Sequence, residues 1–142
     1  MSNLERAIAI AAEAHSGQKD KAGQPYILHP LRVMLNCRTD SERVVAVLHD
    51  VVEDTPWTLD GLRAEGFAEE IIDGVAAVTR AEDEDYFAYV RRAAAHPLGR
   101  AVKRADLADN LDPSRLPSPT IQDRERVERY RQALEAVDHV EA

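Results

Sequence analysis

Apolar residues recur along this chain at three- and four-residue steps, the spacing of one face of an α-helix. Leu4, Ala7, Ile8 and Ala11 form the first stripe, with Ser2 or Asn3 placed to cap it and Gly17 to stop it. Segment 17–29 (GQKDKAGQPYILH) holds two glycines and a proline and reads as a loop. Pro30 suits the first turn of a short helix carrying Leu31, Met34 and Leu35. Thr39 with Glu42 has the spacing of a capping box and opens a helix near Asp40. This helix continues through Val44–Leu48, Val51 and Val52, interrupted by His49-Asp50 and followed by Glu53-Asp54. A valine-rich run is ambiguous between strand and helix by periodicity alone. Its length and the helical spacing of its polar residues favour a buried central helix, ended by Asp54-Thr55-Pro56.

Thr58 then caps a short helix stopped by Gly66, and Ile71, Ile72, Val75 and Val78 define another from about Ala68 to Val78. Trp57 and Phe67 are expected to anchor the packing between them. Residues 82–95 make a helix held by Tyr86, Phe87, Tyr89 and Val90, and Pro97 opens one that reaches about Asn110. Pro113, Pro117 and Pro119 stiffen the connector 110–119. The last helix, 120–140, carries Val127, Tyr130, Leu134 and Val137 at helical spacing and reads as a cover for the core rather than as a dimer surface. No alternating strand pattern stands out. The expectation is an all-α fold of about seven to eight helices in one domain, 1–142.

Composition narrows the class. At 142 residues the chain is of single-domain length. Eighteen basic against 26 acidic residues leave a net charge of −8, the wrong sign for a nucleic-acid or anionic-membrane binder. One cysteine, Cys37, excludes an internal disulfide and a cysteine zinc cluster, and it reads as an inert small hydrophobe. No apolar run nears the ~20 residues of a membrane span, and Met1–Arg6 lacks the layout of a signal peptide. A cytoplasmic protein is expected.

The informative feature is polar residues where a core should be. His49 and Asp50 interrupt the valine run, and ionised aspartate is rarely buried without a partner or a metal. On a helix His49 and Glu53 lie about 40° apart around the axis, as do Asp50 and Asp54. His29 closes the first loop. Asp106 interrupts the stripe of Leu98, Ala101, Val102 and Ala105, with Asn110 one turn later. Taken singly, each has an ordinary reading as a hydrogen-bonded core histidine, a cap or a solvated carboxylate. Taken together, two imidazoles and two carboxylates form a mixed nitrogen and oxygen set that suits manganese, iron or zinc better than calcium.

These motifs carry a resemblance. His29-Pro30, HDVVEDT at His49–Thr55 and KRADLADN at Lys103–Asn110 resemble the HD-domain phosphohydrolases. The opening AEAHSGQKDKAGQPYILHP, Ala12–Pro30, is similar to the hydrolase domain of the RelA/SpoT alarmone enzymes and their stand-alone small relatives. The resemblance spans roughly Leu4 to Asp112 and implies an HD-type hydrolase fold. It further implies that His29, His49, Asp50 and Asp106 hold one divalent metal, usually manganese. Glu53 and Asp54 would position and deprotonate the attacking water. Lys21 and Asn110 would contact a nucleotide substrate, Tyr26 would line the pocket, and Lys103 would add positive charge beside Lys19 and Arg104. The implied reaction removes the 3′-pyrophosphate of guanosine 3′,5′-bis(diphosphate), ppGpp.

The chain departs from the family pattern at two places. Asp20-Lys21 stands where an arginine–lysine pair is usual, and Leu111-Asp112-Pro113 replaces a segment that helps to hold the nucleoside. Both fall on base and sugar recognition. Two alternatives follow: an HD phosphohydrolase of another nucleotide or small phosphomonoester, and a non-catalytic metal or nucleotide sensor. A second copy of the chain is a further candidate partner.

Overall fold

The computed structural model describes residues 3–116 and 118–139. Among them are nine α-helices and one short 3-10 turn. The helices are α1 (Leu4–Ala14), α2 (Leu28–Leu35), α3 (Asp40–Leu48), α4 (Val51–Asp54), α5 (Leu59–Ala64), α6 (Glu69–Ala77), α7 (Tyr86–Ala95), α8 (Pro97–Asn110) and α9 (Ile121–His139). The 3-10 turn, Pro113–Arg115, lies between α8 and α9. The fold is all-α.

Helix α3 is the hub. Val44 to Leu48 are all buried, because α3 packs against α1, α2, α6 and α8. A helix surrounded in this way is apolar all round rather than along one stripe, which is why its sequence resembles a strand. Its start is the expected capping box: Glu42 N–H donates to Thr39 Oγ1 at 3.1 Å, and Thr39 N–H donates to Glu42 Oε1 at 3.3 Å. The crossing with α6 is close. A Cβ on Gly74 would lie 2.8 Å from Val45 Cγ2, so only glycine fits there without a shift.

The structure corrects several expectations. The central helix does not run to Asp54. It ends at Leu48, turns at His49-Asp50 and restarts as α4. The His49 ring causes the break, since its Nδ1 takes the Ala46 carbonyl oxygen at 2.6 Å and competes for an acceptor that an unbroken helix would use. Helix α7 begins at Tyr86, not near 82, with the Asp85 side chain accepting from Ala88 N–H. Helix α2 begins at Leu28, which keeps Pro30 in its first turn as expected. Helix α1 is capped by Asn3, whose side chain accepts from Arg6 N–H; Ser2 lies outside the described residues, as does Pro117 of the connector. His15 is buried with its Nδ1 2.8 Å from Gln18 Oε1. His96 caps α8 by accepting from Gly99 N–H at 3.2 Å. Phe67 and Cys37 are buried, and burial pushes the Cys37 thiol up to about 11.

Helix α9 lies against α7 and α8. Ala133 and Val137 are buried, while Tyr130 and Leu134 pack at the edge of the core. The N-terminal end of α9 is tied to the first loop, where Lys21 Nζ donates to Asp123 Oδ1 at 2.8 Å. No helix among the described residues is long and apolar enough to cross a membrane.

Candidate functional site

Three segments deliver the polar cluster to one point. His29 sits in the first turn of α2, His49 and Asp50 form the break between α3 and α4, and Asp106 projects from α8. His29 Nε2 lies 2.9 Å from Asp106 Oδ1 and 3.8 Å from Asp50 Oδ2. His49 Nε2 lies 3.1 Å from Asp50 Oδ2 and 3.3 Å from Asp106 Oδ1. The structure thus brings together all four residues expected to hold a metal. The histidines are each 3% exposed and Asp106 is 7% exposed.

The donor chemistry fits a divalent cation. A carbonyl oxygen can only accept, so His49 Nδ1 carries the proton donated to Ala46. The other nitrogen of the neutral ring, Nε2, is then a bare lone pair. It is buried without a hydrogen-bond partner, yet it faces two carboxylate oxygens. Only a proton or a cation relieves that arrangement. A cation with bonds of about 2.1 Å sets neighbouring donors about 3.0–3.4 Å apart, and the four spacings here run from 2.9 to 3.8 Å.

Within the cluster, charge opposes burial. Burial alone would lower the pKa of His49, but the Asp50 and Asp106 carboxylates outweigh it and hold the ring well above its usual value. His29 is raised in the same way, by Asp106 and Asp109 against burial. Burial would raise Asp50, yet His49 brings it down to about 2. Asp106 is also held low against burial, chiefly by Lys103. Lys103 Nζ donates to Asp106 Oδ2 at 3.0 Å and to Tyr89 Oη at 3.3 Å, leaving Oδ1 for the imidazoles.

Beside the cluster opens a cavity of about 410 Å³ lined by Tyr26, Glu53, Asp54 and Asn110, among others. The Tyr26 hydroxyl donates to Asp50 Oδ2. Glu53 and Asp54, on α4, are oriented differently. Glu53 Oε1 accepts from Arg80 N–H at 2.8 Å. Asp54 has no such anchor among the described residues, and burial, then Asp50 and Glu53, push it up to about 6. Asn110 Nδ2 donates to Asp106 Oδ1 at 3.2 Å, and its Oδ1 accepts from Arg115 Nη1 at 2.7 Å. Lys21 reaches the cavity wall but is paired with Asp123.

Several participants are not evident in the sequence order. Arg80, Arg115 and Arg126 join Lys19, Lys21 and Lys103 in the lining, opposite the carboxylates of Asp20, Asp50, Glu53, Asp54 and Asp106, so the cavity of an acidic chain carries nearly balanced charge. Arg104, expected near the site, pairs with Asp138 at 3.5 Å and is mostly exposed. Asp20 also lines the cavity, with its Oδ2 3.9 Å from Arg115 Nη2. Its Oδ1 accepts from Ala22 N–H at 3.0 Å and Gln24 N–H at 2.9 Å, shaping the first loop. Asp109, directly after Ala108, is buried behind His29. Its only sequence signal is a carboxylate three residues after Asp106.

A profile of the HD domain matches residues 7–138. The chain belongs to the HD domain family. Among curated HD relatives, it is 33% identical over a 150-residue alignment to a probable GTP pyrophosphokinase of Mycobacterium leprae, covering 96% of this chain and 18% of the relative. It is 34% identical over 120 residues to a guanosine-3′,5′-bis(diphosphate) 3′-pyrophosphohydrolase of Aquifex aeolicus, covering 76% of this chain and 17% of the relative. The chain therefore spans less than a fifth of the length of these relatives. A solved structure described as a metazoan ortholog of SpoT that hydrolyzes ppGpp superposes with a TM-score of 0.81 over 100% of this chain and 89% of that one. At 22% identity, this is a likeness of fold.

Proposed function

We propose that this HD domain is a metal-dependent phosphohydrolase that removes the 3′-pyrophosphate of ppGpp, with manganese as its resident ion. The observation that carries the reading is the buried, unpartnered Nε2 of His49 facing the carboxylates of Asp50 and Asp106, with His29 alongside. These four residues would hold the ion. Bound there, it supplies Lewis-acid polarisation of a phosphoryl oxygen and a more acidic water. The relatives named for ppGpp hydrolysis support the choice of substrate.

The residues divide the remaining work. Glu53, fixed through Oε1 by the Arg80 amide, orients the attacking water with its other oxygen. Asp54, with its pKa near 6, accepts the water proton, since a base poised close to neutrality serves proton transfer best. The water oxygen bonds to the phosphorus on the 3′ oxygen and the 3′ O–P bond breaks. The 3′ oxygen takes up a proton as pyrophosphate leaves. Asn110, Lys21 and Tyr26 face the nucleotide, and Lys19, Arg80, Arg115 and Arg126 in the lining offer positive charge to its phosphates. Lys103 acts through Asp106, whose second oxygen it holds.

A second reading, hydrolysis of another nucleotide, is favoured by Asp20. Its carboxylate is spent on the loop backbone and offers no planar cation to stack on guanine. A panel of ppGpp, other nucleotides and simple phosphomonoesters, assayed for pyrophosphate and phosphate release with manganese and with chelator, decides between them. Pyrophosphate from ppGpp only when manganese is present is the expected result. Phosphate from monoesters alone selects the second reading, and silence on every substrate selects a sensor.

A further inference from the structure

The two imidazoles of the cluster are supported in different ways. His49 rests its Nδ1 on a neutral acceptor, the Ala46 carbonyl, at 2.6 Å. His29 rests its Nδ1 on an anion, Asp109 Oδ2, also at 2.6 Å. Asp109 is itself clamped. Arg32 donates from Nε to Oδ1 at 2.7 Å and from Nη2 to Oδ2 at 3.2 Å, and Arg115 Nη1 adds a contact to Oδ2 at 3.1 Å. We infer that Asp109, clamped by Arg32 and Arg115, is a positioning residue that fixes the tautomer of His29 and strengthens its Nε2 as a donor to a divalent cation. The inference rests on the reading of His29 as a metal ligand.

The tautomer is contested within the structure. Arg115 Nη1 also lies 3.2 Å from His29 Nδ1, a contact that is a hydrogen bond only if that nitrogen is bare. Asp109 requires the opposite, a proton on Nδ1. The carboxylate wins on distance, 2.6 Å against 3.2 Å, because an ionised carboxylate can only accept and a bare Nδ1 would set two lone pairs against each other at the shorter separation. Arg115 loses nothing by this, as its Nη1 already donates to Asn110 Oδ1 at 2.7 Å and to Asp109. With Nδ1 protonated, Nε2 presents its lone pair toward Asp106 Oδ1, 2.9 Å away. An anionic acceptor behind a ligating histidine locks the ring and raises its basicity, and its loss commonly weakens metal binding about 10–100-fold. The two guanidiniums keep Asp109 an acceptor, so that the proton stays on the ring.

The test is calorimetric titration of manganese into the chelator-stripped full chain, for wild type and for Asp109→Asn, Asp109→Ala and Arg32→Met. Both Asp109 variants are expected to bind about 10–100-fold more weakly, and Arg32→Met to lose a smaller factor in the same direction. Imidazole nitrogen NMR of the zinc-loaded wild type is expected to show protonated Nδ1 on both His29 and His49. In Asp109→Ala the hydrogen-bonded His29 signal should disappear while that of His49 remains, a selectivity that general loosening of the fold would not produce. If the Asp109 variants do not fold, the wild-type spectrum decides, and a bare Nδ1 on His29 overturns the inference. Binding by Asp109→Asn within about twofold of wild type overturns it while leaving the metal reading intact. Failure of the wild type to take up manganese or zinc overturns both.

Discussion

His49 turns its Nδ1 onto the carbonyl oxygen of Ala46, 2.6 Å away, and this one contact both closes α3 and bares Nε2 toward the carboxylates. If that nitrogen serves a cation, metal should stabilise the native state through it. With manganese at about 100 times its Kd, wild type should gain about 2.7 kcal/mol over the chelated chain. His49→Ala should gain nothing. Urea unfolding of both chains, with manganese and with chelator, gives the comparison.

Asp106 neutralises the buried ammonium of Lys103 as well as facing the imidazoles. Asp106→Ala leaves Lys103 buried and uncompensated, which costs about 3–5 kcal/mol. The loss should show in the chelated protein, where no metal contributes. Unfolding free energies measured in chelator test this, and an unchanged value would mean that the lysine finds water when its partner goes.

Glu53 is anchored by the Arg80 amide while the adjacent Asp54 has no such anchor among the described residues, and neither is one of the four clustered residues, so their amide variants should separate activity from metal uptake. Glu53→Gln and Asp54→Asn are each expected to lower kcat about 10²–10⁴-fold while leaving manganese affinity within about threefold of wild type. Steady-state kinetics beside calorimetry reads both quantities. A loss of metal in step with activity would instead make them ligands.

How much of this was legible in the sequence depends on what each residue answers to. Thr39 and Glu42 act within one helical turn, so their spacing sufficed. His49, Asp50 and Asp106 stood out because each breaks an apolar pattern, and His29 because it closes the first loop; the structure draws the four together. The break after Leu48 was hidden, since helical periodicity carries no trace of a ring bonding to a carbonyl oxygen three residues back. Asp109 and Arg115 were hidden for a related reason. On α8 a carboxylate near the C-terminal end looks solvated, and only docking of α2 reveals that it supports His29. Lys103 and Arg104 are neighbours in sequence but about 100° apart around the helix, so one reaches Asp106 and the other Asp138.

Gly74 marks a close crossing of α3 and α6. Gly74→Ala would press a methyl group to 2.8 Å from Val45 Cγ2, a side chain fully enclosed in the core. The expected loss is about 1–3 kcal/mol, visible as a lower urea midpoint at unchanged slope. Stability equal to wild type would show that α3 and α6 can separate freely.

Glu84 holds the turn before α7. Hydrogen bonds from Arg92 and then from the Ala81 amide lower its carboxyl to about 2. Because the folded value is depressed, the stabilisation is full above the unfolded value near 4.5 and fades as pH falls toward 2. Glu84→Gln should therefore be less stable than wild type at pH 6, and the gap should narrow steadily below pH 4. Thermal unfolding of both chains across that range measures it.

His29 and Asp106 meet across 77 positions of the chain. No contiguous fragment that omits α8 can assemble the pair, and the entropy of closing so long a loop is offset by the core packing of α2, α3 and α8. On the proposed reading of these residues as ligands, metal uptake reports that α2, α3 and α8 have assembled, and a fragment lacking α8 is expected not to sequester the ion.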